Sequence, residues 1–401
     1  IRIPEREDFN KGILTKEIQK YYEFCNEMPS KTIEHFAKVL KDFINNEQIV
    51  GVFYGYNAYV NQQLWGLHGL SNIINSPYID FFSSPCCYDS NRALGVDWGD
   101  MLPADSVKLH GKIYFVECDI RTHLTRRMQD NRPGKYPEDK YLLYDSNGNK
   151  TVWCGPDTKE LSISAIRKAF AHQITKGSGI WWFDMWGGWY KDKKIMSELS
   201  EMKLIYDNSR NKNTKDLPSA EVVLFIDEKA YANNPQGNHL LNTVNHYRIT
   251  MSHAGIPFDM CLVEDAKDVI NKYKCAIFTA PIPTENGKNA IELYQKHSVP
   301  FIASTEDKPY YDINELRDFL VFSGVHCYND NGDVFYYGNG FISIHKVDDG
   351  ETKITLPRKY KIRPLLDAES SEFETDTIIV TGPQHSTNFY EIMEQLTYLI
   401  Y

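Results

Sequence analysis

The sequence predicts an α/β protein built from three successive parts. Residues 1–210 hold four apolar strands separated by helices or long loops, which is typical of a parallel sheet and supplies half of an eight-stranded (β/α) barrel. Residues 215–330 repeat shorter strand–helix units and predict a doubly wound α/β domain. Residues 331–401 contain short strands between Gly, Asn and Asp turns, which predict a small antiparallel β domain.

Composition excludes several classes of protein. A chain of 401 residues exceeds one ordinary core, and its formal net charge of −10 without a long basic run argues against a nucleic-acid partner. No apolar run approaches the roughly 20 residues that span a bilayer, so we expect no membrane partner. The 8 cysteines lack disulfide or zinc spacing and predict free thiols. We expect no metal and no cofactor, and the compartment (periplasm or cytoplasm of a bacterium) stays open.

The first part alternates its elements along the chain. The predicted helices are 15–46, 62–75 and 162–173, and the predicted strands are 48–56, 78–84 and 112–119, with a fourth strand that runs into a loop at 180–190. Residues 124–158 are polar and rich in turn formers, and they predict either an active-site loop or a solvated insertion without a role. Since the chain begins with Ile1 and not with Met, we expect a fragment or a processed product.

The stretch Lys112–His123 organises the first part. It begins as a buried apolar strand and ends in ionisable residues, as strands do at the active-site face of a (β/α) barrel. Glu117 and Asp119 are two residues apart and are therefore predicted to point to one side, which we interpret as a catalytic cleft. The alternative is that both carboxylates only pair with Arg92 or Arg121 at the barrel rim.

The second part carries no sequence signature of catalysis. No GxGxxG or GxxxxGK[ST] follows its strands, which leaves a nucleotide site with little support. No GxSxG or GxCxG nucleophile elbow is present either. We therefore predict a structural or oligomerising role for residues 215–330.

Three stretches together resemble the β-galactosidase-like glycoside hydrolases of the family 42 type, in the retaining (β/α)8 clan. They are Val50–Tyr56, Phe115–His123, and Ala165–Phe170 followed by Gly177–Met185. The order of a flavodoxin-like α/β domain and then a small β domain after Ser323–Tyr328 is also similar. The resemblance covers nearly the whole chain, and the order of the motifs is more specific than any one of them.

The resemblance implies that the four strands are barrel strands five to eight, the C-terminal half of the barrel. Glu117, at the end of strand seven, is then the nucleophile of a retaining hydrolase acting on β-galactosides of oligo- or polysaccharides. The acid/base, which the clan places after strand four in an Asn-Glu pair, is then absent from this chain. Asn46 and Glu47 form such a pair, but they lie at a helix end before strand five. Asp119 is the natural competitor for the nucleophile.

Aromatic and polar residues at the strand ends are candidates for contact with a carbohydrate substrate. Trp182 is chosen over Trp181 as the apolar floor under a sugar ring, and Arg121 and Tyr54 are expected to lower the pKa of Glu117. Core packing or loop anchoring is the alternative for each tyrosine. The full set of predicted substrate-binding residues is Tyr54, Tyr56, Tyr88, Arg92, Asp119, Arg121, Trp182 and Asp184.

Two other functions remain open. One is a different retaining glycosidase of the same clan, acting on an arabinoside or a glucoside. The other is a carbohydrate-binding or structural module without catalysis. A half barrel also leaves two sheet edges and an apolar face uncovered. We expect them to be covered by a missing N-terminal barrel half, by a second copy of the chain in a homo-oligomer, or by residues 124–158.

Overall fold

The computed structural model contains three sheets, two parallel and one antiparallel. It describes residues 15–60, 63–88, 92–125, 155–185, 187–210, 212, 214, 217, 219–233, 238–366 and 371–393. The prediction of a mixed α/β protein with parallel sheets followed by an antiparallel sheet is confirmed. The boundaries proposed for three domains stay a prediction.

The first sheet has four parallel strands that follow one another in space as they do in sequence. They are β1 (Gly51–Phe53), β2 (Phe81–Pro85), β3 (Ile113–Cys118) and β4 (Gly179–Trp182). This sequential parallel order is the order of strands in a (β/α) barrel. Because the strands are parallel, their carboxyl ends meet at one edge of the sheet.

Five helices accompany the first sheet. They are α1 (Lys16–Phe43), α2 (Leu70–Ile73), α3 (Ala104–Leu109), α4 (Lys159–Thr175) and α5 (Lys193–Ser209). The helix predicted over 62–75 is wrong in extent: only a 3-10 turn at Gln63–Trp65 and the short α2 form. Gly66 breaks the run, because it has a φ of 69° and a Cβ at this position would lie only 2.5 Å from Pro29 of α1.

The start of α4 also differs from the prediction. Thr158 is the N-cap, and its side chain accepts a hydrogen bond from the backbone N–H of Leu161. Ser162, the predicted cap, instead lies inside the first turn, where its hydroxyl accepts from the backbone N–H of His123. The helix therefore anchors the chain just beyond β3.

The second sheet is a doubly wound parallel sheet with strand order β6-β5-β7-β8. Its strands are β5 (Val222–Ile226), β6 (Phe258–Leu262), β7 (Cys275–Phe278) and β8 (Phe301–Ala303). The helices are α6 (Asn238–His253), α7 (Ala266–Val269), α8 (Glu285–Lys296) and α9 (Ile313–Phe322). Separate apolar clusters cover the two faces, so the sheet is buried on both sides.

The third sheet is antiparallel, with strand order β12-β11-β13-β10-β9. Its strands are β9 (Val334–Gly338), β10 (Phe341–His345), β11 (Gly350–Leu365), β12 (Phe373–Gly382) and β13 (Thr387–Met393). Helix α4 lies between this sheet and the first one: the ring of Phe170 packs edge-on against Phe389, and His172 packs edge-on against Tyr336. The first and third sheets therefore share one core.

The first part also closes the open edge of the second sheet. Strand β6 is an edge strand, and side chains of α3 accept hydrogen bonds from two of its backbone N–H groups. Met260 N–H donates to Asp105 at 2.8 Å, and Leu262 N–H donates to Ser106 at 2.7 Å. Satisfying edge donors in this way fixes the second sheet against the first part.

Two smaller predictions concern cysteines and membranes. The seven cysteines within the described ranges are free thiols. Among the helices of those ranges, none is both long enough and apolar enough to span a membrane.

Candidate active site

The two faces of the first sheet have opposite characters. Side chains that share a face with Tyr114 and Cys118 are buried against the helices. On the other face, large apolar side chains remain in contact with solvent: Phe53 is 42% exposed, Ile113 53% and Trp181 37%. In a closed barrel this second face would line the interior. Glu117 lies on it, at the carboxyl end of β3.

Glu117 is half-buried and makes no hydrogen bond or ion pair with the described part of the chain. Its register partner on β4 is Trp181, so the two side chains are neighbours on the open face. Burial raises the pKa of Glu117, the charge of Asp119 raises it further, and the guanidinium groups of Arg92 and Arg121 oppose both effects.

The pKa of Glu117 is therefore raised overall, and the expectation of a lowered value is wrong in its net direction. Arg121 does act in the predicted direction, but burial outweighs it. Tyr54 is not among the groups that shift this pKa. A carboxyl whose pKa is raised retains its proton to higher pH than an ordinary Glu, which bears on its role in catalysis.

Asp119 has a different environment, although it is only two residues away. It is fully buried between two arginines, with Arg92 at 2.5 Å and Arg121 at 2.7 Å. The Arg121 guanidinium lies over the ring of Trp189 at 4.7 Å and is itself buried. The ion-pairing alternative thus applies to Asp119 and not to Glu117. Because both oxygens of Asp119 face arginines, it is a poor candidate for a nucleophile.

Three predicted residues surround these carboxylates. The charge of Glu117 contributes to raising the pKa of Tyr56, after burial, so the phenol lies close to Glu117. Burial and then Asp119 raise the pKa of Tyr88 to about 12. The Arg92 guanidinium lies over the Tyr88 ring at 4.1 Å. Tyr56, Tyr88 and Arg92 are therefore brought together beside Glu117 and Asp119.

Three other predicted residues have structural contacts instead. Tyr54 is buried beside α1 and donates a hydrogen bond to the carbonyl of Asn26 at 3.4 Å. Trp182 pairs in register with Cys118 and packs against the core, so the choice of Trp182 over Trp181 is corrected. Asp184 accepts hydrogen bonds from the backbone N–H groups of Gly187 at 2.8 Å and Trp189 at 3.0 Å, and so closes a turn.

Trp181 is the residue that the sequence reasoning missed. The adjacent pair of tryptophans showed that one faces each way, but the sequence does not fix which residue of β4 pairs with Glu117. Within the residues that the structure describes, no group of three His, Cys, Asp or Glu side chains could hold a metal ion. The predicted active-site loop, 124–158, falls largely on 126–154, outside the described residues.

Comparisons with known proteins bear on the fold. No protein-family model matches the chain, and no curated protein matches it. Among solved structures, a catalytic mutant of a GH42 β-galactosidase from G. stearothermophilus has a TM-score of 0.59 at 11% identity, covering 98% of this chain and 70% of that chain. A cold-adapted β-galactosidase from a Rahnella species has a TM-score of 0.58 at 12% identity, with the same coverage. The chain therefore has a GH42-like fold.

Proposed function

We propose that this chain carries one catalytic carboxylate of a retaining glycoside hydrolase of the β-galactosidase type, and that this carboxylate is Glu117. The observation that carries the proposal is the difference in hydrogen bonding and ion pairing between Glu117 and Asp119, which are two residues apart. Asp119 is neutralised by two buried arginines, whereas Glu117 is left without a hydrogen bond or ion pair among the described residues. A carboxylate that the fold leaves unpaired on the open face is available to a substrate.

The proposed chemistry follows from this position. In a retaining hydrolase, the nucleophilic carboxylate forms a bond to the anomeric carbon while the glycosidic bond breaks and the leaving oxygen takes a proton from the acid/base. Water then attacks the glycosyl-enzyme ester, gives its proton back to the acid/base, and releases the carboxylate. Glu117 would serve as the nucleophile, and Asp119 would stay paired with Arg92 and Arg121 beside it.

The neighbours of Glu117 would position the sugar. Trp181 has 37% of its surface exposed beside Glu117, so its ring offers an apolar platform to a pyranose. Tyr56 and Tyr88 supply hydroxyl groups on the same side of the sheet edge, and Arg92 supports this arrangement by stacking on Tyr88 and pairing with Asp119. Arg121 would contribute indirectly, because its ion pair holds Asp119 in place.

The second carboxyl must come from elsewhere, since the two groups of a retaining site lie only about 5 to 5.5 Å apart. The described acids near Glu117 are engaged: Asp119 pairs with arginines and Asp184 closes a turn. We propose that further barrel strands, from additional polypeptide or from a second copy of the chain, cover the open face and bring the acid/base.

One observation favours a different role within the same reaction. A raised pKa suits a proton donor better than a nucleophile, so Glu117 is also a candidate for the acid/base. Substrate identity rests on the similar solved structures, which are β-galactosidases. An arabinoside or a glucoside as the substrate, or carbohydrate binding without catalysis, are the alternatives that the experiment distinguishes.

The test is hydrolysis of nitrophenyl β-galactoside, β-glucoside and α-arabinoside by the wild-type chain, by Glu117→Gln and by Glu201→Gln. Glu201 lies exposed on α5 and serves as the matched control. We expect Glu117→Gln to lower kcat at least about a thousandfold and Glu201→Gln to have no effect. Turnover that survives Glu117→Gln would refute the proposal.

Azide separates the two roles. With Glu117→Ala and an activated β-galactoside, azide that replaces a nucleophile gives the α-galactosyl azide, whereas azide that replaces an acid/base gives the β-anomer. If the chain alone shows no turnover, binding of a cationic galacto-configured iminosugar is the readout. Binding that is lost in Glu117→Gln supports the site, and equal binding to both forms contradicts it.

A further inference from the structure

We propose that a cavity at the carboxyl edge of the second sheet is a separate binding site for a neutral, polyhydroxylated ligand of the size of a sugar. The cavity has a volume of about 610 Å³, within the range of small-molecule sites. Its walls come from α1, from His68 and Asn72 at the short helix α2, from the segment after β5 and from residues 283–288 at the start of α8. This proposal stands independently of the proposed function of Glu117.

The position of the cavity agrees with a general rule for open α/β sheets. Ligands bind outside the carboxyl ends of the strands, where the strand order reverses. In the order β6-β5-β7-β8 the reversal falls between β5 and β7, and the segments that follow these two strands both line the cavity. The sheet thus presents its usual binding crevice, and α1 of the first part forms the opposite wall.

His68 provides an acceptor that has no partner within the protein. Its Nε2 lies 2.6 Å from the carbonyl oxygen of Val60, so this nitrogen carries the proton and donates it. Burial lowers the pKa of His68 to about 4, which keeps the ring neutral and makes Nδ1 an acceptor. His68 is 2% exposed, lines the cavity, and has no hydrogen bond to Nδ1 within the described residues. A buried acceptor without a partner calls for a donor from a ligand.

The negative charge of Glu228 makes the cavity unfavourable for anions. Hydrogen bonds from the protein stabilise this charge, so it does not require a cationic ligand. Glu228 is fully buried and accepts hydrogen bonds from Asn57 at 2.8 Å and from the backbone N–H groups of Leu70 at 3.0 Å and Ser71 at 2.7 Å. These three donors stabilise its negative charge from the protein side. An anionic ligand would still meet that charge across the cavity.

The start of α8 is closed to a phosphate as well. The carboxylate of Asp227 accepts hydrogen bonds from the backbone N–H of Thr284 at 2.7 Å and from the Thr284 hydroxyl. The Thr284 hydroxyl in turn caps the helix through the N–H of Gly287. A protein carboxylate therefore already occupies the place where a phosphate would bind at a helix N-terminus.

The remaining polar lining matches hydroxyl groups. Amide side chains both donate and accept, which complements an O–H group that does the same. Four carboxylates and two lysines also line the cavity, so a cation is the competing ligand that the experiment must include. The amides are Gln19, Asn26, Asn72, Asn233 and Asn286. Each of them already makes at least one hydrogen bond within the protein, so a ligand would use the donor and acceptor positions that these bonds leave.

The experiment measures binding of D-galactose and D-glucose to the whole chain by titration calorimetry, with inorganic phosphate and putrescine as charged probes. His68→Gln keeps a donor for the Val60 carbonyl and removes the Nδ1 acceptor. Lys288→Trp fills the cavity from an exposed position on α8. Lys296→Trp, exposed at the other end of the same helix, is the matched control.

We expect a hexose to bind, His68→Gln to weaken its binding by up to about tenfold, and Lys288→Trp to abolish it. Lys296→Trp should leave it unchanged. No binding of either hexose, binding that survives Lys288→Trp, or binding of phosphate or putrescine in place of a hexose would overturn the proposal. Hexose binding that disappears in Glu117→Gln and persists in Lys288→Trp would belong to the candidate active site instead.

Discussion

The chain contains two four-stranded parallel sheets, and they differ in how completely they are covered. Every residue of β5 is buried, and apolar clusters pack on both faces of the second sheet. The first sheet is packed on one face only, and its other face exposes Phe53, Ile113 and Trp181. Since parallel sheets are normally covered on both faces, the open face of the first sheet is the surface at which we propose that substrate and further polypeptide bind.

The acids at the carboxyl edges show the same difference. Glu228, just after β5, is fully buried and accepts three hydrogen bonds. Glu117, at the end of β3, has no such partner among the described residues. A group that a fold leaves unsatisfied costs stability, and such groups concentrate at functional sites. The comparison therefore supports the proposal that Glu117, and not Glu228, is the acid that acts on a substrate.

The largest expected effect is a difference in the free energy of unfolding between substitutions of two isoleucines, each in a central strand of one of the two parallel sheets. Ile277 of β7 is fully buried, whereas Ile113 of β3 is 53% exposed. We expect Ile277→Ala to lower the free energy of unfolding by about 2 to 5 kcal/mol, and Ile113→Ala by less than about 1 kcal/mol. Urea unfolding followed by circular dichroism measures both.

An equal loss in the two variants would show that the open face is covered in solution. In that case the loss for Ile113→Ala should depend on protein concentration if a second copy provides the cover. A loss that does not change with concentration would point to cover from within the chain.

The next effect compares two Glu→Gln substitutions. In Glu228→Gln the new amide NH₂ faces the N–H donors of Leu70 or Ser71, and the charge-assisted bonds are lost, so we expect a cost of about 2 to 3 kcal/mol. Glu117→Gln breaks no hydrogen bond among the described residues and should change stability by less than about 0.5 kcal/mol. Thermal unfolding of both variants at neutral pH checks this difference. A large loss for Glu117→Gln would indicate a structural role and weaken the case for catalysis.

The sequence predicted the features that depend on local pattern. The run from Ile113 to Cys118 is apolar and β-branched or aromatic, and it forms a strand that brings Glu117 to the carboxyl edge. The alternation of strands and helices predicted parallel sheets, and the later short strands predicted an antiparallel one. Periodicity and strand direction suffice for these features.

The sequence did not predict features that depend on strand register or on contacts between residues far apart in the chain. Trp181 and Trp182 alternate faces, but only the pairing of β4 with β3 decides which one joins Glu117. Tyr54 lies one residue beyond the end of β1 and turns to α1, which a local pattern does not show. The cavity beside His68 combines α1 with segments that follow β5 and β7, so no contiguous motif marks it.

The smallest expected effect is the contribution of Glu117 to the pH dependence of the free energy of unfolding. Its pKa in the folded chain is raised above the ordinary 4.5, so the folded state holds this proton more tightly than the unfolded state. Stability should therefore fall as pH rises from 4.5 through the folded-state pKa, and Glu117→Gln should remove that part of the fall.

Asp192 is the matched control of opposite sign, because a hydrogen bond from Lys159 lowers its pKa. Above pH 3.8, Asp192→Asn should be less stable than the wild type. This difference should disappear as pH falls through the lowered pKa of Asp192 in the folded chain. Unfolding free energies of the three proteins between pH 3 and 7 test both signs. A Glu117 difference that follows the Asp192 direction would mean that Arg92 and Arg121 outweigh burial, and that Glu117 is held ionised as a nucleophile requires.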